Sequence, residues 1–199
     1  MSSTIYTIGY ATKPINIFIE QLKKYAINIV IDVRSVPFSK AFSDYHQHHI
    51  KQHLNNHQIK YVDFGELLGP RSKDSQHYNE HYQVQFDRLM QSAKFNQGIE
   101  RLKNGLTKGF NIALMCAEKD PSHCHRSLLI GYYLIRHSDI NIAHILHNGQ
   151  IESEQNLEQR LMHDNAIIPD MFSSHTDCLQ RAYNIQKEKM AYIKPVDNH

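Results

Sequence analysis

The sequence predicts one α/β domain: a mostly parallel sheet of about five strands flanked by helices, with extra C-terminal helices. The first observation is that short apolar runs rich in β-branched residues alternate along the chain with longer segments of helical periodicity. This order is typical of a parallel sheet that is covered by helices on both faces. The second is that 199 residues, 41% of them hydrophobic and 21% charged, suit a single globular domain.

Five short segments are predicted to be strands: residues 5–9, 28–33, 60–64, 110–115 and 140–146. The second and fourth of these are almost continuously apolar, which indicates strands buried on both faces. Helical spacing of apolar residues predicts helices at residues 14–25, 44–57, 86–102 and 124–136, followed by 152–162 and 176–192. We therefore divide the chain into an α/β core, residues 1–150, and a C-terminal helical extension, residues 151–199, packed on the core or partly mobile.

The composition argues against several classes of protein. A formal net charge of +2 gives no general basic field for nucleic acid. Three cysteines, Cys116, Cys124 and Cys178, cannot all pair within one chain, which favours a reducing compartment. The sequence shows no secretory signal and no apolar run near the ~20 residues of a membrane helix, so we expect a cytoplasmic protein with no membrane partner. The 15 histidines, five of them within residues 46–57, are mostly expected on the surface, and no oligomeric state follows from the sequence.

The first two predicted strands end in residues that could contact a ligand. In open α/β sheets, ligands bind beyond the carboxyl ends of the strands. Gly9 and Tyr10 follow the first strand, where a glycine lets the backbone turn sharply or approach a ligand. Asp32, Arg34 and Ser35 follow the second. Arg34, oriented by Asp32, would bind a phosphate or carboxylate group, or the two would form an ion pair that only fixes the loop.

The loop of residues 116–126 lies between the clearest strand and an apolar helix, and it is the strongest candidate for a working site. Glu118, at the strand exit, is suited to act as a general base. Cys124, His125 and Arg126 are expected in the first helical turn, where free backbone N–H groups and the helix dipole attract anions and lower the pKa of a thiol. Arg126 would then hold a phosphate group.

A further arginine, Arg71, belongs to the polar and irregular residues 67–82. A connection of that length inside a compact domain is often functional or mobile. Arg71 would either reach the same pocket or be solvated on the surface.

Three interpretations compete for the cysteines of the loop. Cys124 would be a nucleophile with His123 or His125 as its base. Zinc would need four ligands, which Cys116, His123, Cys124 and His125 provide on paper, but adjacent Cys and His residues on one helix point in different directions. In the third interpretation His125 only bonds to a backbone carbonyl and Cys116 serves packing, which is expected because free cysteine is among the most buried residue types. We therefore predict no metal and no cofactor, with zinc as the less favoured alternative.

These segments together resemble the bacterial and archaeal family called domain of unknown function 488. The matching residues are 7–9, 32–35 with Pro37 and Ser39, 68–69, 116–118 with Pro121, 124–126, and 144–146 with Gly149. The similarity covers residues 4–150. The resemblance implies an α/β fold and a shared pocket, and it brings no agreed activity. Tyr10 stands where the family usually has histidine, so a role that needs an imidazole there is not expected.

We expect an enzyme that acts on a phosphate-bearing substrate, a nucleotide or nucleic acid, of a hydrolytic or nucleotide-processing type. Arg34 and Arg126 would hold the anion, while Glu118 and Asp32 would transfer protons or orient water. The other members of the predicted site are His125 and Cys124 on the catalytic side and Ser35, Gly9, Tyr10 and Arg71 around the anion. A non-catalytic sensor or binding module for a nucleotide-like ligand would use the same pocket without a base. The third alternative is a structural or interaction protein that uses the histidine-rich segment and the C-terminal helices as its surface.

Overall fold

A computed structural model describes residues 3–39, 41–169 and 172–195, and in these ranges six strands form one sheet. In chain order the strands are β1 (Thr4–Gly9), β2 (Ile29–Asp32), β3 (Lys60–Asp63), β4 (Ile112–Cys116), β5 (Asn141–Ile145) and β6 (Ile151–Ser153). Their spatial order is β3-β2-β4-β1-β5-β6, and neighbouring strands are parallel except for β5 and β6. The fold is therefore α/β with a mostly parallel sheet, and all five predicted strands are present.

Eight α-helices occur in the described ranges: α1 (Ile15–Lys24), α2 (Gln47–Asn56), α3 (Gly65–Leu68), α4 (Phe86–Met90), α5 (Ala93–Thr107), α6 (Tyr132–His137), α7 (Glu154–Asp164) and α8 (His175–Met190). A π-helical segment, Arg126–Gly131, runs directly into α6. Within those ranges, no helix combines the length and the apolar character needed to cross a lipid bilayer.

Helices cover both faces of the sheet. On one face α1 and α2 contribute the fully buried Leu22 and Leu54. On the other face α5 and α6 contribute Ile99 and Leu134, and α7 and α8 complete this layer. β4 supplies alternate residues to the two faces, and all five of its residues are buried. Burial on both faces explains why the sequence of β4 is a continuous apolar run.

The connections that leave β1 and β4 run to opposite sides of the sheet. β1 leads through α1 to β2, while β4 leads through the π-helical segment and α6 to β5. Because β1 and β4 are neighbours, their carboxyl ends border a crevice between the two diverging connections, which is where ligands bind in open α/β sheets. The strand register places Gly9 opposite Cys116 at this crevice.

Two predicted helices are interrupted in the structure. Residues 44–57 do not form one helix, because His46 is extended, with φ −60° and ψ 143°, and separates α2 from a short 3₁₀ turn. Residues 86–102 are divided between α4 and α5. Ser92 is extended there, and its hydroxyl caps α5 by accepting a hydrogen bond from the Phe95 N–H.

The C-terminal extension, predicted to be helical, begins with a strand. β6 pairs antiparallel with β5 after a turn in which Gly149 has a φ of +77°. Ser153 ends this strand and caps α7 by accepting from the Asn156 N–H. Three residues are too few for an alternating pattern to reveal a strand, so the sequence alone did not predict β6. α8 begins with a capping box formed by Ser174 and Asp177.

Candidate functional site

Four side chains with acid–base and metal-binding chemistry converge at the carboxyl end of β4: those of Cys116, Glu118, Cys124 and His125. One ligand atom of each lies within 4.8 Å of those of the others. The Oε2 atom of Glu118 accepts hydrogen bonds from Cys116 Sγ at 2.8 Å and from Cys124 Sγ at 3.0 Å. His125 Nδ1 lies 3.7 Å from the first sulfur and 3.8 Å from the second. We name these four residues the thiol–carboxylate cluster.

The backbone of the loop explains how adjacent residues reach one point. Cys124 is extended, with φ −136° and ψ 140°, whereas His125 is helical, with φ −61° and ψ −21°. The expectation that these two side chains point in different directions is therefore wrong, since it placed both residues inside a helix that in fact begins at Arg126. His123, another ligand in the zinc interpretation, is half-exposed and lies 3.8 Å from Asp120.

The ring of His125 is fixed by the neighbouring strand connection. Its Nε2 atom lies 2.8 Å from the backbone oxygen of Val33. A carbonyl oxygen can only accept, so Nε2 carries a hydrogen and donates it. The other ring nitrogen, Nδ1, faces the two sulfur atoms. It is therefore positioned to exchange a proton or to bind a metal ion.

Burial and mutual charge set the protonation of the cluster. Burial raises the pKa of the Cys116 thiol well above its usual value, and Cys124 and Glu118 raise it further. Burial also raises the pKa of the Glu118 carboxyl, and the charge of Cys124 adds to this effect. For Cys124 burial opposes ionisation, but the hydrogen bond with Cys116 and the charges of Arg126 and His125 lower the pKa of the thiol well below its usual value. Groups shifted in this way are suited to proton transfer.

A cleft of about 150 Å³ opens beside the cluster. Three cluster members line it, Cys116, Glu118 and His125, together with Tyr10, Arg34, Ser35 and Arg71. Glu118 is the exposed member of the cluster, although its Oε2 atom contacts both sulfurs, and the other three residues are buried. The cleft therefore gives a ligand direct access to a carboxylate.

A second, larger cavity of about 430 Å³ adjoins this cleft, and both are lined by Ser35 and Arg71. Lys73 and Lys94 line the larger cavity as well. Both lysines donate to the exposed carboxylate of Glu66, at 2.6 and 3.3 Å. Three cations, Arg71, Lys73 and Lys94, and two acids, Glu66 and Asp74, line this cavity, so its charge balance is slightly positive.

Arg34 lines the smaller cleft and is held in place by two residues. Its Nε and Nη2 atoms donate to the two carboxylate oxygens of Asp32 at 2.9 and 2.6 Å, and Nη1 donates to the Tyr10 hydroxyl at 3.0 Å. The Tyr61 hydroxyl donates to the same carboxylate at 2.8 Å. The ion pair that was one of the two predicted arrangements is therefore present. A guanidinium carries five N–H donors, and these contacts use three of them.

Arg126 is fully buried and lies outside the described residues that line the two clefts. Its Nη1 and Nη2 atoms donate to the backbone oxygens of Glu118 at 2.7 Å and Lys119 at 3.4 Å, and its Nε donates to the Thr7 hydroxyl at 3.3 Å. These contacts hold the loop against β1 and differ from the predicted contact with an anion. Gly9 allows the loop to pack this closely against β1, because a Cβ atom at position 9 would lie 1.9 Å from the backbone oxygen of Glu118.

The two C-terminal helices hold the loop from the other side. Arg160 of α7 donates to Asp120 at 3.0 and 2.9 Å and pairs with Glu152 at 2.8 Å. Gln186 of α8 donates to the backbone oxygen of Ser122 at 2.8 Å. Burial would raise the pKa of Asp120, but hydrogen bonds from Arg160 and Ser122 lower it to about 2. Sequence reasoning missed Arg160 and Gln186, because they lie far along the chain from the loop and no local motif marks them.

Most of the predicted site residues meet at the smaller cleft. Those that line it are Glu118, His125, Arg34, Ser35, Tyr10 and Arg71. Asp32 and Cys124 are buried and contact residues that line it. Cys116, which was predicted to serve packing, both packs in the core and lines the cleft.

The chain matches the model of one protein family over residues 14–133, more than half of its length. The family is described as domain of unknown function DUF488. The chain belongs to the DUF488 family. No curated protein and no solved structure matches it at a comparable standard. The part that matches the DUF488 family contains Asp32, Arg34 and the whole thiol–carboxylate cluster, whereas Gly9 and His144 lie outside it.

Proposed function

We propose that the protein is an enzyme that acts on a phosphate-bearing substrate, a nucleotide or a nucleic acid, at the carboxyl end of the sheet. One observation carries the proposal: Glu118, Arg34 and Arg71 line the same cleft. A proton acceptor beside two anion-binding groups suits phosphate-ester hydrolysis, because a base can take the proton of the attacking water while the cations stabilise the developing charge.

Arg34 and Arg71 would hold the phosphate group from two elements. Arg34 is oriented by its two bonds to Asp32, and two of its five N–H donors remain beyond the contacts made within the described residues. Arg71 is exposed, and its guanidinium stacks over the ring of Tyr192 at 4.6 Å. The adjoining cavity of about 430 Å³ is within the size of small-molecule sites, ~300–1,000 Å³, and offers room for the rest of a nucleotide.

Glu118 would accept the proton of the attacking water. A general base works best when its pKa is close to the working pH, and burial raises the pKa of this carboxyl in that direction. His125 and Cys124 lie beside the carboxylate and would set its charge, because protonation of the His125 ring lowers the pKa of Glu118 and ionisation of the Cys124 thiol raises it. Neither residue would form a covalent bond with the substrate.

Glu118→Gln tests this proposal with p-nitrophenyl phosphate, bis-p-nitrophenyl phosphate and ADP as probes. The wild-type protein should hydrolyse at least one of them, and the variant should lose about 10²-fold or more of kcat/KM because the amide cannot accept a proton. The Tm should stay within a few degrees, because Glu118 is exposed. Glu66→Gln removes another exposed carboxylate beside the larger cavity, so it is the matched control and should remain active.

Equal activity in Glu118→Gln and the wild type would contradict the proposal. Binding of ADP by the wild type without turnover of any probe would favour a non-catalytic binding module at the same cleft.

A further inference from the structure

We propose that the thiol–carboxylate cluster is a zinc site, with Cys116, Cys124, His125 and Glu118 as its four ligands. One donor atom of each side chain lies within 4.8 Å of those of the others. Two thiols, an imidazole and a carboxylate form a donor set that suits zinc, whereas magnesium and calcium take oxygen ligands.

The sulfur–nitrogen distances fit a tetrahedral centre. With Zn–S bonds of ~2.3 Å and Zn–N bonds of ~2.0 Å, a tetrahedral site separates sulfur from nitrogen by about 3.5 Å. His125 Nδ1 lies 3.7 Å from Cys116 Sγ and 3.8 Å from Cys124 Sγ. The Glu118 oxygen is closer to the sulfurs, at 2.8 and 3.0 Å, which are hydrogen-bond distances. To bind the metal it would move outward by about half an ångström, and its exposed position leaves room for that shift.

The surroundings already hold the ligands in a metal-binding arrangement. His125 Nε2 donates to the Val33 oxygen at 2.8 Å, which turns the lone pair of Nδ1 toward the sulfurs. Such an outer hydrogen bond is typical of a histidine that binds zinc, because it fixes both the ring orientation and the tautomer. Arg126 donates to the Glu118 backbone at 2.7 Å, and Gly9 leaves space for that backbone beside β1. The main chain therefore brings the four donors together.

Three ligands would be buried and the fourth exposed to the cleft. Three firmly held ligands and one replaceable position are typical of catalytic zinc sites, whereas structural sites are closed. A carboxylate displaced from the metal would lie beside the incoming oxygen atom, so Glu118 would keep its proposed role as proton acceptor. Zinc binding does not depend on the proposed activity, since a chain that binds zinc and hydrolyses no phosphate ester would have this site without that function.

Two alternatives to zinc binding at the cluster determine which controls the test needs. Cys116 and Cys124 are close enough that oxidation is an alternative fate for the two thiols. Surface histidines are the second alternative, because His46 and His49 stack with their ring centroids 5.7 Å apart and belong to a histidine-rich helix end. A test must therefore detect sulfur in the metal's coordination shell.

The test is a titration of untagged, reduced and metal-depleted protein with Co(II), a spectroscopic substitute for zinc. We expect saturation at one equivalent per chain, with thiolate-to-cobalt charge transfer and the strong visible bands of a tetrahedral site, and loss of both on addition of zinc. Cys116→Ser and His125→Ala should weaken binding about 100-fold or more. His123→Ala, a change two residues away and outside the cluster, is the matched control and should bind as the wild type does.

Several results would overturn the proposal. One is a cobalt spectrum without charge transfer, or one that survives in Cys116→Ser and disappears in His46→Ala. Another is a reduced wild-type protein with all three thiols free that binds no Co(II) or zinc. Because buried cysteine variants can unfold, zinc-edge X-ray absorption of the unsubstituted, zinc-loaded protein gives an independent result. It should show two sulfur and two lighter neighbours, and a shell without sulfur would also exclude this site.

Discussion

At the scale of single residues, Arg126 and Arg34 carry the same charge at the same end of the sheet and have different surroundings. Arg126 donates to the backbone of the loop and to Thr7. Arg34 is oriented by Asp32 and borders the cleft. In the sequence both arginines lie next to a strand end or a helix start, which is why both were predicted to bind an anion. Both arginines are buried, and what separates them is their partners and the fact that Arg34 lines the cleft.

Arg126→Ala should therefore reduce stability, whereas Arg71→Ala should reduce the binding of an anion. Loss of Arg126 leaves two backbone oxygens and a buried hydroxyl without their donor, so we expect the free energy of unfolding to fall by ~3 kcal/mol or more. Loss of the exposed Arg71 should change it by less than ~0.5 kcal/mol and weaken the binding of inorganic pyrophosphate. Urea unfolding and titration calorimetry measure the two quantities. A stable Arg126→Ala variant that has lost only pyrophosphate binding would contradict this assignment.

Lys13 is a buried cation with a strongly shifted pKa. It is 2% exposed and donates to the Gln21 side chain. Burial, and then the charge of Arg126, lower its pKa from 10.5 to about 8. His147 is a further titratable group that interacts with it. Between the two pKa values the unfolded chain binds more protons than the folded one, so the free energy of unfolding rises with pH across this window.

Lys13→Met isolates this contribution. We expect the free energy of unfolding of the wild type, measured relative to the variant, to rise between pH 8 and pH 10.5, because only the wild type loses a proton from residue 13. Other groups titrate in both proteins, so their contributions to the free energy of unfolding largely cancel in the difference. Urea unfolding on both sides of the window measures it. A difference that does not change with pH would show that the pKa of Lys13 is not lowered.

At the scale of elements, the apolar patterns that repeat within one strand or helix were predictable from the sequence. The points at which a helix is interrupted were not. β4 is buried on both faces, so its composition alone identifies it. The break between α4 and α5 escaped prediction because helical spacing continues across it, although Ser92 is a typical capping residue. β6 was not predicted because it has three residues and, within the described ranges, pairs with β5 alone.

The loop of residues 116–126 is an element whose shape depends on distant helices. Arg160 and Gln186 contact it from α7 and α8, 40 and 64 residues along the chain from their partners Asp120 and Ser122. Periodicity and capping signals act over a few residues, so they do not reveal such contacts. The C-terminal helices therefore contribute to the site without lining it.

Arg160→Gln should loosen this loop. The change removes the bonds to Asp120 and Glu152, and we expect amide hydrogen exchange at Ser122 and Cys124 to become faster than in the wild type. Arg181→Gln, an exposed position on α8, is the matched control and should leave the exchange of these amides unchanged. Unchanged exchange in Arg160→Gln would mean that the loop holds its shape without α7.

At the scale of the whole molecule, strand order decides where the candidate site lies. β1 and β4 are neighbours with diverging connections, and ligands bind at such a crevice in open α/β sheets. The sequence predicts Glu118 and Arg34 at this edge of the sheet, and both line the smaller cleft there. The rule does not predict which side chains touch there. The meeting of Cys124 with His125 depends on one extended and one helical residue, and this detail appears only in three dimensions.

We expect the two clefts at the carboxyl end of the sheet to bind a phosphate-bearing ligand. The most direct measurement is a titration of ¹⁵N-labelled protein with inorganic pyrophosphate, followed by NMR chemical shifts of the assigned backbone amides. We expect the largest shifts at Ser35, Arg71 and Glu118, with smaller ones at Lys73 and Lys94, because these residues line the two clefts. Shifts confined to α2 or to the surroundings of Lys13, or no shifts at millimolar pyrophosphate, would contradict the claim.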